Sequence, residues 1–142
     1  MRAGQKGFTL IELLVVVAVV AILGTIALSS YRSSVVRANR VDATAALLRL
    51  AAQQEKLYIV NNTYANTAAL ALIGLTNTDR GYYTITIAPD PNTGLLTAGF
   101  VATATPVAGG PQATDALCTT LSLDNSGQRR STGTAATADC WK

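Results

Sequence analysis

The chain has 142 residues, 49% of them hydrophobic, with a net charge of +3, two cysteines and no histidine. That length suits one small domain plus an extended element. With no histidine and no clustered carboxylate pair, the composition argues against an enzyme and offers no cofactor and no metal site.

The chain opens on a short basic peptide that runs into Lys6-Gly7-Phe8-Thr9-Leu10-Ile11-Glu12. From Phe8 to Leu28 only Thr9, Glu12, Gly24 and Thr25 interrupt an apolar run. A helix of about 20 residues spans the hydrocarbon core of a bilayer. A buried core helix is usually shorter and more amphipathic. A cleaved secretory signal would end its apolar region in small residues before the cut. Here a cut between Gly7 and Phe8 would keep the apolar run and leave a new amine near Glu12. An ionisable group inside a membrane segment costs several kcal/mol, roughly, unless paired or moved to the interface. The run supplies no cation of its own, so Glu12 is a candidate assembly residue with the Phe8 amine as its partner. The alternative is a Glu12 solvated at the interface or paired with its own N-terminus. Glycine at position 7 suits a scissile bond that a peptidase must approach closely, because a Cβ would obstruct it. Arg2 and Lys6 would hold the N-terminus in the cytoplasm. Without them nine basic side chains face 8 acidic ones, so the basic balance is weak evidence for a nucleic-acid partner.

No proline and no glycine but Gly24 falls between Phe8 and Val60, so one helix is predicted up to Asn61-Asn62. Beyond Leu28 the pattern turns amphipathic. Val41, Ala45, Leu48, Ala52 and Ile59 share one stripe, with Leu47, Ala51 and Tyr58 beside it. Arg37, Arg40, Asp42, Arg49, Gln53 and Lys56 occupy much of the remainder. Such a helix would be about 80 Å long. A small domain covers only its C-terminal half, so lipid or other copies must cover the rest.

Residues 61–81 read as a connecting loop with a short helical turn, anchored by Leu70, Leu72, Ile73 and Leu75. The alternation Tyr82-Tyr83-Thr84-Ile85-Thr86-Ile87 predicts a strand with one tyrosine inward. Asp90-Pro91-Asn92-Thr93-Gly94 is a turn, and Leu95 to Thr105 is the expected return strand, with Phe100 as its anchor. A third strand is expected at Cys118 to Leu123. Asp124-Asn125-Ser126-Gly127 turns into a fourth strand at Gln128 to Ser131. A calcium site at Asp124, Asn125 and Asp115 is possible chemically, but turn chemistry explains the first two more simply. In an exported domain an even cysteine count reads as one disulfide, Cys118 with Cys140, worth about 3 kcal/mol by chain entropy. Free buried thiols or a two-cysteine metal site are the alternatives. Trp141 sits where it would cover the bridge. Arg129 and Arg130, with Arg80, could touch DNA phosphates; such a footprint is small and salt-sensitive, and solvated surface charge is the plainer reading.

The segment Gly7-Phe8-Thr9-Leu10-Ile11-Glu12-Leu13 resembles the class III signal of type IV pilins. The later order of cysteine, alternating strand, glycine turn and second cysteine beside Trp141 resembles the minor-pilin branch of the type IVa group. The similarity is close over about the first 60 residues and looser beyond. It implies an α+β pilin fold, a long N-terminal helix with a four-stranded antiparallel sheet packed on its C-terminal half. It also implies a leader at 1–7, a membrane or filament-core segment at 8–30 and a head at 31–142. A prepilin peptidase would cut after Gly7 and methylate Phe8. Glu12 would neutralise the Phe8 amine of a neighbour as an inner-membrane assembly platform adds subunits to a helical filament. The head would be periplasmic before assembly and extracellular after it. Roles in pilus biogenesis, twitching motility or adhesion follow, with a type II secretion pseudopilin or a DNA-uptake pilin as alternatives. Many members carry glycine where this chain has Ala21 and proline where it has Ser29. Their absence predicts a straighter helix in the isolated subunit, with Gly24 as a weaker loosening point.

Overall fold

The computed structural model describes residues 7–142, so the leader expected at 1–7, with Arg2 and Lys6, lies outside the described residues except for Gly7. In chain order the elements are α1 (Leu10–Asn61), α2 (Thr67–Ala71), β1 (Tyr83–Pro89), β2 (Phe100–Pro106), β3 (Thr120–Asp124), β4 (Arg129–Thr132) and α3 (Thr137–Cys140). They fall into two compact units, Met1–Val35 and Val36–Lys142.

The described part of the first unit is the N-terminal stretch of α1. Its large apolar side chains from Phe8 to Leu28 are all exposed. The hydroxyls within it turn back on the helix. Thr25 Oγ1 donates to the Ile22 carbonyl at 2.8 Å and Ser29 Oγ to the Ile26 carbonyl at 3.1 Å. That bonding satisfies polar groups without a partner or water. The helical assignment continues through Ala21, Gly24 and Ser29.

In the second unit the strands form one antiparallel meander in the order β1-β2-β3-β4. Alternation puts one face of it in the core: Tyr83 and Ile85, then Phe100, Ala102 and Ala104, then Leu121 and Leu123 are buried. They share one core with Ala43, Ala46, Leu47 and Leu50 of α1. The alanines of β2 pair with Ile87, Ile85, Leu121 and Leu123 on either side. Small residues in the middle of the sheet leave room for the helix, and larger ones flank it. The helix stops at Asn62, which adopts φ 52° while its amide bonds the Tyr58 carbonyl at 2.8 Å. Asparagine tolerates that left-handed turn better than most residues.

Several expectations need correction. The stripe Val41, Ala45, Leu48, Ala52 and Ile59 does not face the core; all five are exposed, with Val41 at 53% and Leu48 at 46%. The buried face lies on the opposite side of the helix and includes Asn39, Arg40 and Gln54, polar residues that find partners in the head. Leu72 and Ile73 are exposed rather than anchors, because α2 is a single short turn that buries only Leu70. The return strand starts at Phe100 rather than Leu95. Before it the chain makes two turns in succession, with Gly94 bonding Asp90 and the Ala98 and Gly99 amides bonding the Leu95 carbonyl. β3 begins at Thr120, because Cys118 N is held by Asp115 Oδ1 at 3.2 Å.

Candidate functional site

The N-terminal motif is organised by Thr9 and Glu12. Glu12 N donates to Thr9 Oγ1 at 3.3 Å, and Thr9 N approaches Glu12 Oε2 at 3.5 Å. This is a reciprocal cap, with a threonine before the helix and a glutamate three residues on. It satisfies two of the amides that a helix start leaves open. The threonine-x-x-glutamate spacing that signals this cap is legible in the sequence, beside the reading of Glu12 as a charge. Gly7 and Phe8 precede the cap, and Phe8 is 83% exposed. In the isolated chain the carboxylate of Glu12 is thus directed to one backbone donor of its own helix start, the Thr9 amide.

The head is tied to α1 by polar contacts that cross long stretches of sequence. Arg40 grips Asp115 in a two-point ion pair, Nε to Oδ2 at 2.7 Å and a terminal nitrogen to Oδ1 at 2.8 Å, with both side chains buried. The hydrogen bond to Asp115 raises the Arg40 pKa above its ordinary value despite opposing burial. Asp115 also accepts the amides of Leu117 and Cys118. Beside it, the fully buried Gln112 donates to the Val36 carbonyl and to the Tyr83 hydroxyl and accepts from Asn39. Burial raises the Tyr83 pKa. Gln54 bonds both backbone groups of Ala65 at 2.8 Å, which pins the loop after the helix. None of these partners was foreseen, and nothing in local pattern signals them.

Cys118 and Cys140 form a disulfide with a Cα–Cα distance of 5.7 Å, and both are buried. Trp141 is partly buried, and its indole Nε1 donates to the Arg130 carbonyl at 3.0 Å. The calcium possibility is not supported by geometry: Asp115 is taken by Arg40, while Asp124 closes the β3–β4 turn through Ser126 and Gln128. Among the described residues no group of three or more acidic, cysteine or histidine side chains gathers for a metal.

The three arginines singled out for DNA do not form one patch. Arg129 and Arg130 are neighbours in β4, so they point to opposite faces of the sheet. Arg129 lies over the Trp141 ring at 5.2 Å. Arg130 bonds Gln128 and pairs with Asp124 at 3.0 Å. Arg80 lines a surface cleft with Asp42, Arg49 and Asp79.

Comparison with known proteins adds the following. Residues 29–122 match the family model described as type IV minor pilin ComP, DNA uptake sequence receptor. Residues 2–28 match the prokaryotic N-terminal methylation motif. The chain is 38% identical over 95 residues to the type IV wide pilus major component PilA4 of Thermus thermophilus, covering 66% of this chain and 72% of that protein. It is 52% identical over 52 residues to a probable minor fimbrial protein of Dichelobacter nodosus, covering 35% of this chain and 33% of that one. Its fold is similar to that of the Neisseria meningitidis non-core minor pilin PilV, with a TM-score of 0.53 at 18% identity over 71% of this chain and 90% of that one.

Proposed function

The chain belongs to the type IV pilins, in the family of the minor pilin ComP, and from that premise we propose that it enters a pilus through its N-terminal helix after a cut between Gly7 and Phe8. The observation that carries this reading is the methylation-motif match over residues 2–28, joined to an apolar helix half with no cover of its own. A prepilin peptidase would release Phe8 and methylate its amine. The head then stays periplasmic and leaves the membrane when the subunit joins the filament, with an assembly platform as the site of that step. In the membrane Glu12 caps its own helix; in the filament its carboxylate neutralises the Phe8 amine of a neighbour. Its role is that of a structural subunit in motility, adhesion or pilus biogenesis. We divide it at 8–30 for the membrane or filament-core segment and 31–142 for the head.

The test replaces Glu12 by valine. Glu12→Val is expected to insert and be cut normally but to fall at least about ten-fold in sheared filaments, the scale of losing a charge pair in a dry core. Unchanged incorporation would sink the pairing. A trace amount of the unsubstituted chain in those filaments marks a minor subunit, and a dominant band marks the shaft.

A second reading, DNA uptake, has the ComP family match behind it. Arg80, Arg129 and Arg130 would contact phosphates, although Arg130 is paired with Asp124 and the two strand arginines diverge. Salt-dependent binding of duplex DNA by the purified chain, lost on Arg129→Ala with Arg130→Ala, is required for this reading.

A further inference from the structure

The helix face that the head leaves open has a defined pattern. Ala38, Val41, Ala45, Leu48 and Ala52 are all exposed and recur at alternating spacings of three and four. These are the a and d positions of two heptads, the spacing of a helix–helix seam. The same spacing runs back in the sequence through Ser34, Tyr31, Ala27, Gly24, Val20 and Val17. Alanine at each a position in the head lets a second backbone approach closely, and small residues serve the same end inside a membrane. At the far end the seam closes at Glu55, a charge at the next d position, which accepts from the Tyr64 hydroxyl.

The charges beside the seam are the informative part. In this register Arg37 is a g position and Asp42 the following e position, the pair that meets between parallel helices in register. Arg37 is exposed and forms no ion pair with a described residue; Asp139, which it lies near, is taken by Lys142. Asp42 is half-buried: its Oδ2 is sealed within the head without a hydrogen bond from any described residue, which leaves Oδ1 as the oxygen a partner's cation would meet. Arg49 and Arg80 line the same cleft and Arg49 feels the charge of Asp42, but neither hydrogen-bonds it, so a closer cation still favours its charged form. The other flanking charge is already satisfied, since Arg49 bonds Asp79 within the same head.

The geometry points to a parallel contact between two copies of this chain along Ala38 to Ala52, with Arg37 of each copy on Asp42 of the other. The contact is two-fold symmetric, so both ion pairs form at once. It is a closed pair, unlike a filament contact, and it covers the open helix face while the chain waits in the membrane. This inference rests on the membrane-anchored reading above, which is what makes the two helices parallel.

Site-directed crosslinking of the full-length chain tests it, in membranes of a host that makes no pili. Ala38→Cys and Ala45→Cys are expected to give a disulfide-linked dimer under mild oxidation, because a positions face each other across the seam. Ser33→Cys, an exposed c position of the same helix, is expected to give little. Adding Asp42→Arg or Arg37→Asp to Ala38→Cys should lower the dimer yield about ten-fold, through like charges now facing across the seam. The two reversals combined should restore it. Equal crosslinking at positions 33 and 38, or reversals without effect, overturns the contact. The filament assay is separate and uses the unsubstituted chain: its absence from sheared filaments sinks the pilus role and leaves this contact standing, and its presence there without any crosslinked dimer in membranes does the opposite.

Discussion

At the scale of single residues, two acids do different work from what their type suggests. Glu12 begins as a helix cap, bonded to the backbone and hydroxyl of Thr9. A carboxylate at the N-terminal end of a helix is also favoured by the helix dipole. Its availability to a neighbour's amine therefore requires exchanging one weak local donor, the Thr9 amide, for a full charge. Asp115 is committed outright, sealed against Arg40 with two further amides on the same carboxylate. Removing one partner of a buried ion pair strands the other charge. Arg40→Met alone, or Asp115→Leu alone, is expected to lower stability by about 3–5 kcal/mol. The double replacement should recover much of that loss. Thermal unfolding of the full-length chain in detergent checks both. The pair was invisible to pattern reading because its halves are 75 positions apart and Arg40 looks like a surface residue of an amphipathic helix.

At the scale of elements, the β3–β4 hairpin shows how a turn sequence becomes an acid-sensitive joint. Asp124 is partly withdrawn from water, which by itself would raise its pKa. Hydrogen bonds from Ser126 and Gln128 and the charge of Arg130 outweigh that and hold it below the usual carboxylate range. The ionised form is thus the one the fold favours. Its contribution is present above the unfolded pKa of about 4 and is lost as pH falls through the lower folded value. Asp124→Asn is expected to reduce stability at neutral pH and to flatten its decline between about pH 5 and 2. Unfolding curves of both forms across that range check the sign. The turn itself was readable from Asp124-Asn125-Ser126-Gly127, with Gly127 at φ 80° where a side chain would be strained. The start of β2 was not readable. Leu95 to Gly99 has strand-like composition, but its amides are spent on two turns and the Leu96 carbonyl accepts from Tyr64.

At the scale of the whole molecule, one helix carries two kinds of surface, and the chain's own residues cover only part of it. The long helix, its apolar start and its stop at Asn61-Asn62 were determined by the sequence alone, because helix continuity depends on local propensity and the absence of breakers. The four strands, their order along the chain and the pairing of Cys118 with Cys140 were legible for a similar reason, since alternation and turn residues act over a few positions. Which face of α1 is buried was decided only by the tertiary structure. Both candidate faces look apolar in the sequence, and the sheet took Ala43, Ala46, Leu47 and Leu50 because Asn39, Arg40 and Gln54 beside them find buried partners at Gln112, Asp115 and Ala65. The more conspicuous stripe from Val41 to Ile59 was left outside. The physical reason is that satisfying a buried polar group depends on residues brought together by the fold, and no local pattern encodes where they will come from.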